Sequence, residues 1–176
     1  PKVILCDVHF VLFNKLEYFI IVGLLDNEPY EVFIGDNISS FISDNDYIVR
    51  NIKRSIRGGV LKKNKRSNYS LLNSDNEMIC ENIADKCEDV EEAVARLISI
   101  SLRHGADISF IVHQLEKIKG DLNCLAKAIA RVLKKYISNG RMVAGEECGD
   151  CGGKLYREEG CCKCSCGWSK DYSSCS

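Results

Sequence analysis

Cysteine is the residue of this chain whose abundance and spacing could do chemistry. Seven of its 11 cysteines fall in the tail: Cys148-Gly-Asp-Cys151-Gly-Gly, then Gly160-Cys161-Cys162-Lys-Cys164-Ser-Cys166-Gly-Trp168, and then Cys175, one residue from the last. A thiolate is a soft, negatively charged ligand, and four of them satisfy the tetrahedral preference of Zn²⁺. Cys148 and Cys151 form a Cys-x-x-Cys-Gly turn, in which glycine lets the chain fold tightly enough to aim two sulfurs at one point. The second half is less regular, because a single residue separates Cys164 from Cys166. Three readings of the tail stand side by side: a structural zinc ribbon, which the spacing favours; a thiol–disulfide relay in part of the tail, compatible with zinc; and a disulfide-stapled secreted tail.

Composition weighs against the third reading. The opening PKVILCDVHFVLF carries polar and charged residues and lacks a small-residue cleavage site, and no apolar run approaches the length of a bilayer span. A cytoplasmic, reducing compartment is the expectation, where a cysteine cluster means metal or redox chemistry more often than stapling. With 176 residues, 45% of them hydrophobic, the chain supports one domain of ordinary size and a small appendage. Its net charge of −1 points to no partner. Pro1 as first residue fits either a trimmed initiator Met or a piece of a longer chain.

The elements that must carry the tail come before it. Residues 2–35 read as three antiparallel strands: Val3 to Phe10, Leu16 to Leu25, and Tyr30 to Ile34, with Asp26-Asn27-Glu28-Pro29 as a turn. Gly23 marks a bulge or a close backbone approach. Cys6 and His9 read as buried, satisfied side chains. Tyr47 to Ile56 fits a strand or a short helix. Val60–Lys63, Tyr69–Leu72 and Met78–Ile83 suggest a second small meander within a basic β insert spanning residues 47–85. Arg50, Lys53, Arg54, Arg57, Lys62, Lys63, Lys65 and Arg66 lie in one stretch without an acidic residue. Such a patch can hold phosphates of a nucleotide or nucleic acid, or dock on an acidic partner, or be a solvated face.

Residues 89–139 read as three helices. Asp89 and Glu92 have the spacing of a capping box, and Val90, Val94, Leu97, Ile98 and Leu102 form an apolar stripe that ends at Arg103-His104-Gly105. His104 is a helix-end residue by this reading. Asp107 caps a second helix with Ile108, Ile111, Val112 and Leu115 inward and His113 in solvent. Asp121 caps a third, with Leu122, Leu125, Ala126, Ile129, Val132, Leu133, Tyr136 and Ile137 inward. A helix-turn-helix reader would need base-reading Asn or Gln on the third helix. That helix offers Lys127, Arg131, Lys134 and Lys135 instead, which suit phosphates. No nucleotide fingerprint, hydrolase elbow or zinc-protease motif occurs, so the chain by itself offers no active site.

The run VGLLDNEPYEVFIG, then EEAVARLISISLRHGADISFIVHQLEKIKG, then AKAIARVLKKYI, then a cysteine-rich ribbon ending in CGWS, resembles the C-terminal region of adenosylcobalamin-dependent (class II) ribonucleotide reductases. The likeness is most specific at Arg96-Leu97-Ile98-Ser99, Leu102-Arg103-His104-Gly105 and Ala128-Ile129-Ala130-Arg131. It departs at Asn123-Cys124-Leu125-Ala126-Lys127, where many members read Thr-Ser-Cys-Pro-Asp. It departs again at Gly160-Cys161-x-x-Cys164-x-Cys166-Gly167, one residue shorter than the usual ribbon and with Cys162 added.

The resemblance implies a role in deoxyribonucleotide biosynthesis for DNA replication. In such enzymes a catalytic barrel, absent here, binds nucleotide and adenosylcobalamin and ends each turnover with a disulfide. A mobile cysteine pair re-reduces that disulfide and is restored by thioredoxin or glutaredoxin. By this resemblance Cys161 and Cys175 are the exchange pair, with Cys162 the alternative to Cys161, and Cys148, Cys151, Cys164 and Cys166 are the zinc set. The expected fold is α+β: small antiparallel sheets with a three-helix block over residues 1–141, and a zinc-ribbon or redox tail over 142–176. The chain is then the C-terminal or accessory part of a reductase, which alone reduces no nucleotide and docks on the barrel through the basic insert or the helical block. The alternative is a non-enzymatic zinc-ribbon module that binds nucleic acid or a nucleic-acid-processing complex.

Overall fold

The computed structural model describes residues 1–13, 15–36, 56–64, 68–120, 124–138, 142–158 and 161–170. Strands β1 (Val3–Phe13), β2 (Leu16–Leu25) and β3 (Glu28–Gly35) form the expected antiparallel run. The β2–β3 turn is tighter than the sequence suggests. Asp26 and Asn27, at φ 52° and 65°, make a two-residue turn with both residues left-handed, so Glu28 and Pro29 already belong to the strand. Between Gly23 and Leu24 the β2–β3 register shifts, with Tyr30 as the extra residue on β3, and a Cβ on Gly23 would sit 2.7 Å from Ile4 Cδ1, so this glycine marks a close approach facing the bulge.

The second meander is present but does not stand apart. Strands β4 (Ile56–Lys63), β5 (Tyr69–Leu72) and β6 (Met78–Cys80) join the first three through antiparallel pairing of β4 with β1, giving one six-stranded sheet ordered β3-β2-β1-β4-β5-β6. Of the segment Tyr47 to Ile56, only Ile56 lies within the described residues. The sheet curls, since Phe33 on β3 meets Tyr69 on β5 edge-on with ring centroids 5.5 Å apart, although three strands separate them in the sheet order.

Period-two alternation divides the sheet into two cores. Ile20, Val22, Val32 and Ile34 point to one face and pack on helices α1 (Asp89–Arg103), α2 (Ile108–Glu116) and α3 (Leu125–Lys134). Ile4, Cys6, Val8, Phe19 and Ile21 point to the other, where the curled sheet and a 3₁₀ turn (Ile83–Lys86) supply Leu61, Tyr69, Leu71 and Ile83. Cys6 is buried as expected. Burial, helped by the Asp7 carboxylate, pushes its thiol up to about 12, which leaves it a packing residue with little thiolate. His9 has a partner from far along the chain: its Nε2 lies 2.6 Å from the Tyr136 hydroxyl, which donates to Asp7 Oδ2 at 2.9 Å.

Helix α1 departs from the expected phase. Its N-cap is Glu88, Asp89 is already helical, and no side chain caps the end. The acidic first turn still suits the helix dipole, and Glu92 pairs with Arg96 one turn on. Val94, Ile98 and Leu102 reach the core as expected, but Val90 and Leu97, also expected inward, are 68% and 67% exposed, and Ala95 and Ser99 complete the buried face instead. The reason is a buried serine. Ser99 Oγ accepts from Val32 N at 2.8 Å and donates to Val32 O at 3.2 Å, so the helix turns its polar residue toward the edge strand β3 and satisfies its backbone. His104 is the C-cap of α1, and Asp107 caps α2 by accepting from Ser109 N at 2.8 Å. His113 is half-buried and not in open solvent. Cys124 is the N-cap of α3, a place expected for Asp121, which lies outside the described residues along with Leu122. The regular turns of α3 end at Lys134, after which Tyr136 and Ile137 still reach the core.

Candidate metal centre and redox tail

The tail is a second, four-stranded antiparallel sheet ordered β10-β9-β8-β7, built from β7 (Met142–Glu147), β8 (Lys154–Glu158), β9 (Cys161–Cys164) and β10 (Ser169–Lys170). Its two hairpin turns carry the cysteines. In the first, Cys148 N donates to Gly153 O and Gly152 N to Cys148 O, each at 2.9 Å, with Gly152 at φ 67°. In the second, Cys164 N donates to Trp168 O at 2.8 Å and Gly167 N to Cys164 O at 3.0 Å, with Gly167 at φ 94°. Both glycines occupy left-handed backbone that other residues adopt only with strain. The second turn makes do with one residue between its cysteines because β9 delivers Cys164 directly.

These turns bring Cys148, Cys151, Cys164 and Cys166 together, with all four sulfurs within 4.8 Å of one another. Cys148 and Cys166 lie 3.6 Å apart and Cys151 and Cys164 3.5 Å apart. Zn–S bonds of about 2.3 Å in a tetrahedron put sulfurs about 3.8 Å apart, so the donor set and spacing fit that ion. Its electrostatics fit as well. The Cys164 thiol is lowered to about 7, first by the Cys166 backbone N–H and then by neighbouring thiols. Cys166 is pushed up to about 12, because the pull of the Trp168 N–H is outweighed by the sulfurs of Cys164, Cys148 and Cys151. Cys151 is raised too, the Gly153 N–H acting against Cys164 and Cys148. The cluster thus favours one thiolate at the expense of its neighbours, and a divalent cation would relieve that competition.

The remaining cysteines separate by environment. Cys162 is fully buried with Leu155, Cys148 and Cys164 against Trp168, so this alternative exchange thiol offers an incoming disulfide no exposed sulfur. Cys161 is half-buried at the start of β9 and is disulfide-bonded. Cys175 lies outside the described residues. Of the basic patch, Arg50, Lys53, Arg54, Lys65 and Arg66 lie outside them too, and Arg57 sits on β4. Lys62 and Lys63 are exposed on β4, with Lys63 5.9 Å from the Tyr69 ring. The structure therefore gathers the four cysteines of the first set and does not gather the basic residues into one described surface.

Body and tail together define a mixed α+β domain that carries a four-cysteine, metal-type cluster on an appended ribbon. The chain belongs to the family described as NrdJ homologue C-terminal domain, whose model matches residues 4–138; NrdJ is the class II, adenosylcobalamin-dependent ribonucleotide reductase. The matched residues comprise the sheet and helices and end before β7. No curated protein and no solved structure matches the chain. No helix among the described residues is long and apolar enough to cross a membrane.

Proposed function

We propose that this chain is the accessory, C-terminal part of a ribonucleotide reductase whose tail cysteines re-reduce the disulfide left in the catalytic barrel. The observation that carries the reading is the family match over residues 4–138. Adenosylcobalamin would belong to the catalytic region and supply radical chemistry there. Zinc held by Cys148, Cys151, Cys164 and Cys166 would fix the ribbon, which supports the division of labour among the tail thiols: four are taken by the cluster, Cys162 by the ribbon core, and Cys161 remains for exchange. Cys161 already being in a disulfide supports its participation in that chemistry, and Cys175 is the partner we assign.

The exchange would run in two displacements. One thiolate of the pair attacks a sulfur of the barrel disulfide, breaking that S–S bond and leaving a mixed disulfide. The second thiol gives up its proton and attacks the mixed disulfide, which releases the barrel dithiol and closes Cys161–Cys175. Two electrons have then passed to the barrel, and a thioredoxin or glutaredoxin dithiol returns them to the tail by the same steps. Docking on the barrel is assigned to the outer face of α1, where Val90, Leu97 and Ile100 are exposed at spacings of seven and three. The test is turnover of the chain together with its catalytic region. Cys161→Ser and Cys175→Ser should abolish turnover supported by thioredoxin or glutaredoxin but not turnover supported by dithiothreitol, which reaches the barrel directly. Full activity of both variants with the protein reductant would end the proposal. Salt-dependent binding of nucleic acid that survives Cys175→Ser would favour the binding-module alternative.

A further inference from the structure

Between the curled sheet and α1 lies a cleft of about 290 Å³ that neither the tail chemistry nor the docking face uses. Phe33 and Tyr69 form an aromatic wall, and Lys63, Arg96 and Arg103 bring cationic side chains to it. Against these three cations stand two carboxylates, Glu31 and Glu92, so the lining is net positive.

The hydrogen-bond inventory sharpens this. Each guanidinium carries five N–H donors. Arg103 commits two, one to Ser99 O at 3.3 Å and one to Glu31 Oε1 at 3.0 Å. Arg96 commits two to Glu92 Oε1. Three N–H groups remain on each among the described contacts, and the Lys63 ammonium adds its own without an ion-pair partner there. A donor-rich wall of this kind matches an oxyanion with several acceptor oxygens, and guanidinium forks suit phosphate in particular. A second observation points the same way. Glu31 is 6% exposed, and its Oε2 is buried without a hydrogen bond among the described residues, the adjacent Ser99 hydroxyl being given to Val32 O. A buried acceptor left without a donor is costly, and a hydroxyl on the ligand would satisfy it.

We propose that this cleft binds a small organic phosphate bearing hydroxyl groups, with its phosphate on Lys63, Arg96 and Arg103 and a hydroxyl toward Glu31. Lys62, the neighbour of Lys63 on β4, projects to the opposite face of the strand and takes no part. The basic insert is not needed for this site, because Lys63 alone of its members lines the cleft among the described residues.

Titration calorimetry of the full chain at fixed ionic strength tests the proposal, with ribose 5-phosphate, ribose and inorganic phosphate as probes. Ribose 5-phosphate should bind, inorganic phosphate more weakly, and ribose not detectably. Lys63→Ala and Arg96→Ala should each weaken ribose 5-phosphate by about tenfold or more, as loss of a charged hydrogen bond does. Lys62→Ala should leave the affinity unchanged, and circular dichroism of each variant checks that it is folded. Equal losses for Lys62→Ala and Lys63→Ala would reduce the effect to diffuse surface charge and overturn the site. So would no binding of either phosphate, or ribose binding as well as its phosphate. Inorganic phosphate binding as tightly as ribose 5-phosphate would overturn the hydroxyl contact to Glu31.

Discussion

The body and the tail of this molecule solve the problem of holding a sheet together in different ways. The body buries long apolar side chains on both faces of six strands, among them Phe19, Ile20, Ile21, Ile34, Leu61 and Leu71, each 1% exposed or less. Each such burial is worth roughly 1.5–3 kcal/mol before chain entropy is counted. The ribbon has Leu155, three cysteines and a partly buried Trp168. A core of that size is too small to order four short strands, and its four converging sulfurs repel one another as thiolates. Apolar burial is a property of the chain alone, whereas a four-cysteine cluster that could hold a metal ion would tie the folding of the ribbon to that ion.

The largest expected effect breaks the comparison at its weak side. Removing metal with a chelator, or replacing Cys148 with Ser, should release amide-exchange protection across residues 142–170 while the body keeps its own. Protection unchanged in the tail would mean that the ribbon stands without metal. Next comes Gly35→Ala. A Cβ there would lie 2.3 Å from Lys86 O and 2.4 Å from the Phe19 ring, neither of which can swing aside, so denaturant unfolding of the body should lose about 3 kcal/mol. Ser99→Ala strips both backbone groups of Val32 of their partner and should cost about 1–3 kcal/mol by the same measurement.

A smaller effect concerns pH. Burial raises the Glu31 carboxyl above its ordinary value, opposed by Arg103, Lys63, the Ser99 hydroxyl and Arg96. The folded state therefore holds this proton to higher pH than the unfolded chain. The stability Glu31 contributes is fully present below the unfolded carboxylate value of about 4.3 and is lost as pH rises through the raised folded value. Glu31→Gln should flatten the fall in melting temperature over that window, and an unchanged pH profile would deny the burial its role. Smallest is Leu97→Asp, on the exposed face of α1, which should change stability by about 0.5 kcal/mol or less while weakening association with the catalytic region. Loss of stability comparable to Ser99→Ala would show that this face is packed in the free chain.

What the sequence revealed follows the range of the interactions. The strands of residues 2–35 announce themselves by alternation and by Asp26-Asn27, because a hairpin is a local object. The fusion of the two meanders into one sheet rests on β1 pairing with β4, where Val3 meets Lys62, and no local pattern encodes that register. The outward placement of Val90 and Leu97 on α1 has a similar origin. Hydrophobicity alone favours Val90 and Leu97 inward, but Ser99 has a partner on β3, 67 residues away, that satisfies a polar group better than solvent could. Asp7, His9 and Tyr136 form another association that only the folded chain creates. In the tail, cysteine spacing displayed the metal-type chemistry, while the seclusion of Cys162 depended on which face of β9 it occupies, and strand register is needed to know that.

Trp168 is the single tryptophan of the chain, and it lies against the first cysteine turn, with its indole Cζ2 3.4 Å from where a Cβ on Gly149 would be. The protein thereby carries its own optical reporter, confined to the tail. Light absorbed selectively by indole interrogates the ribbon and is blind to the sheet and helices, whose backbone signal in circular dichroism is a separate channel. Heating one sample and following both records whether the two parts melt at one temperature or at two.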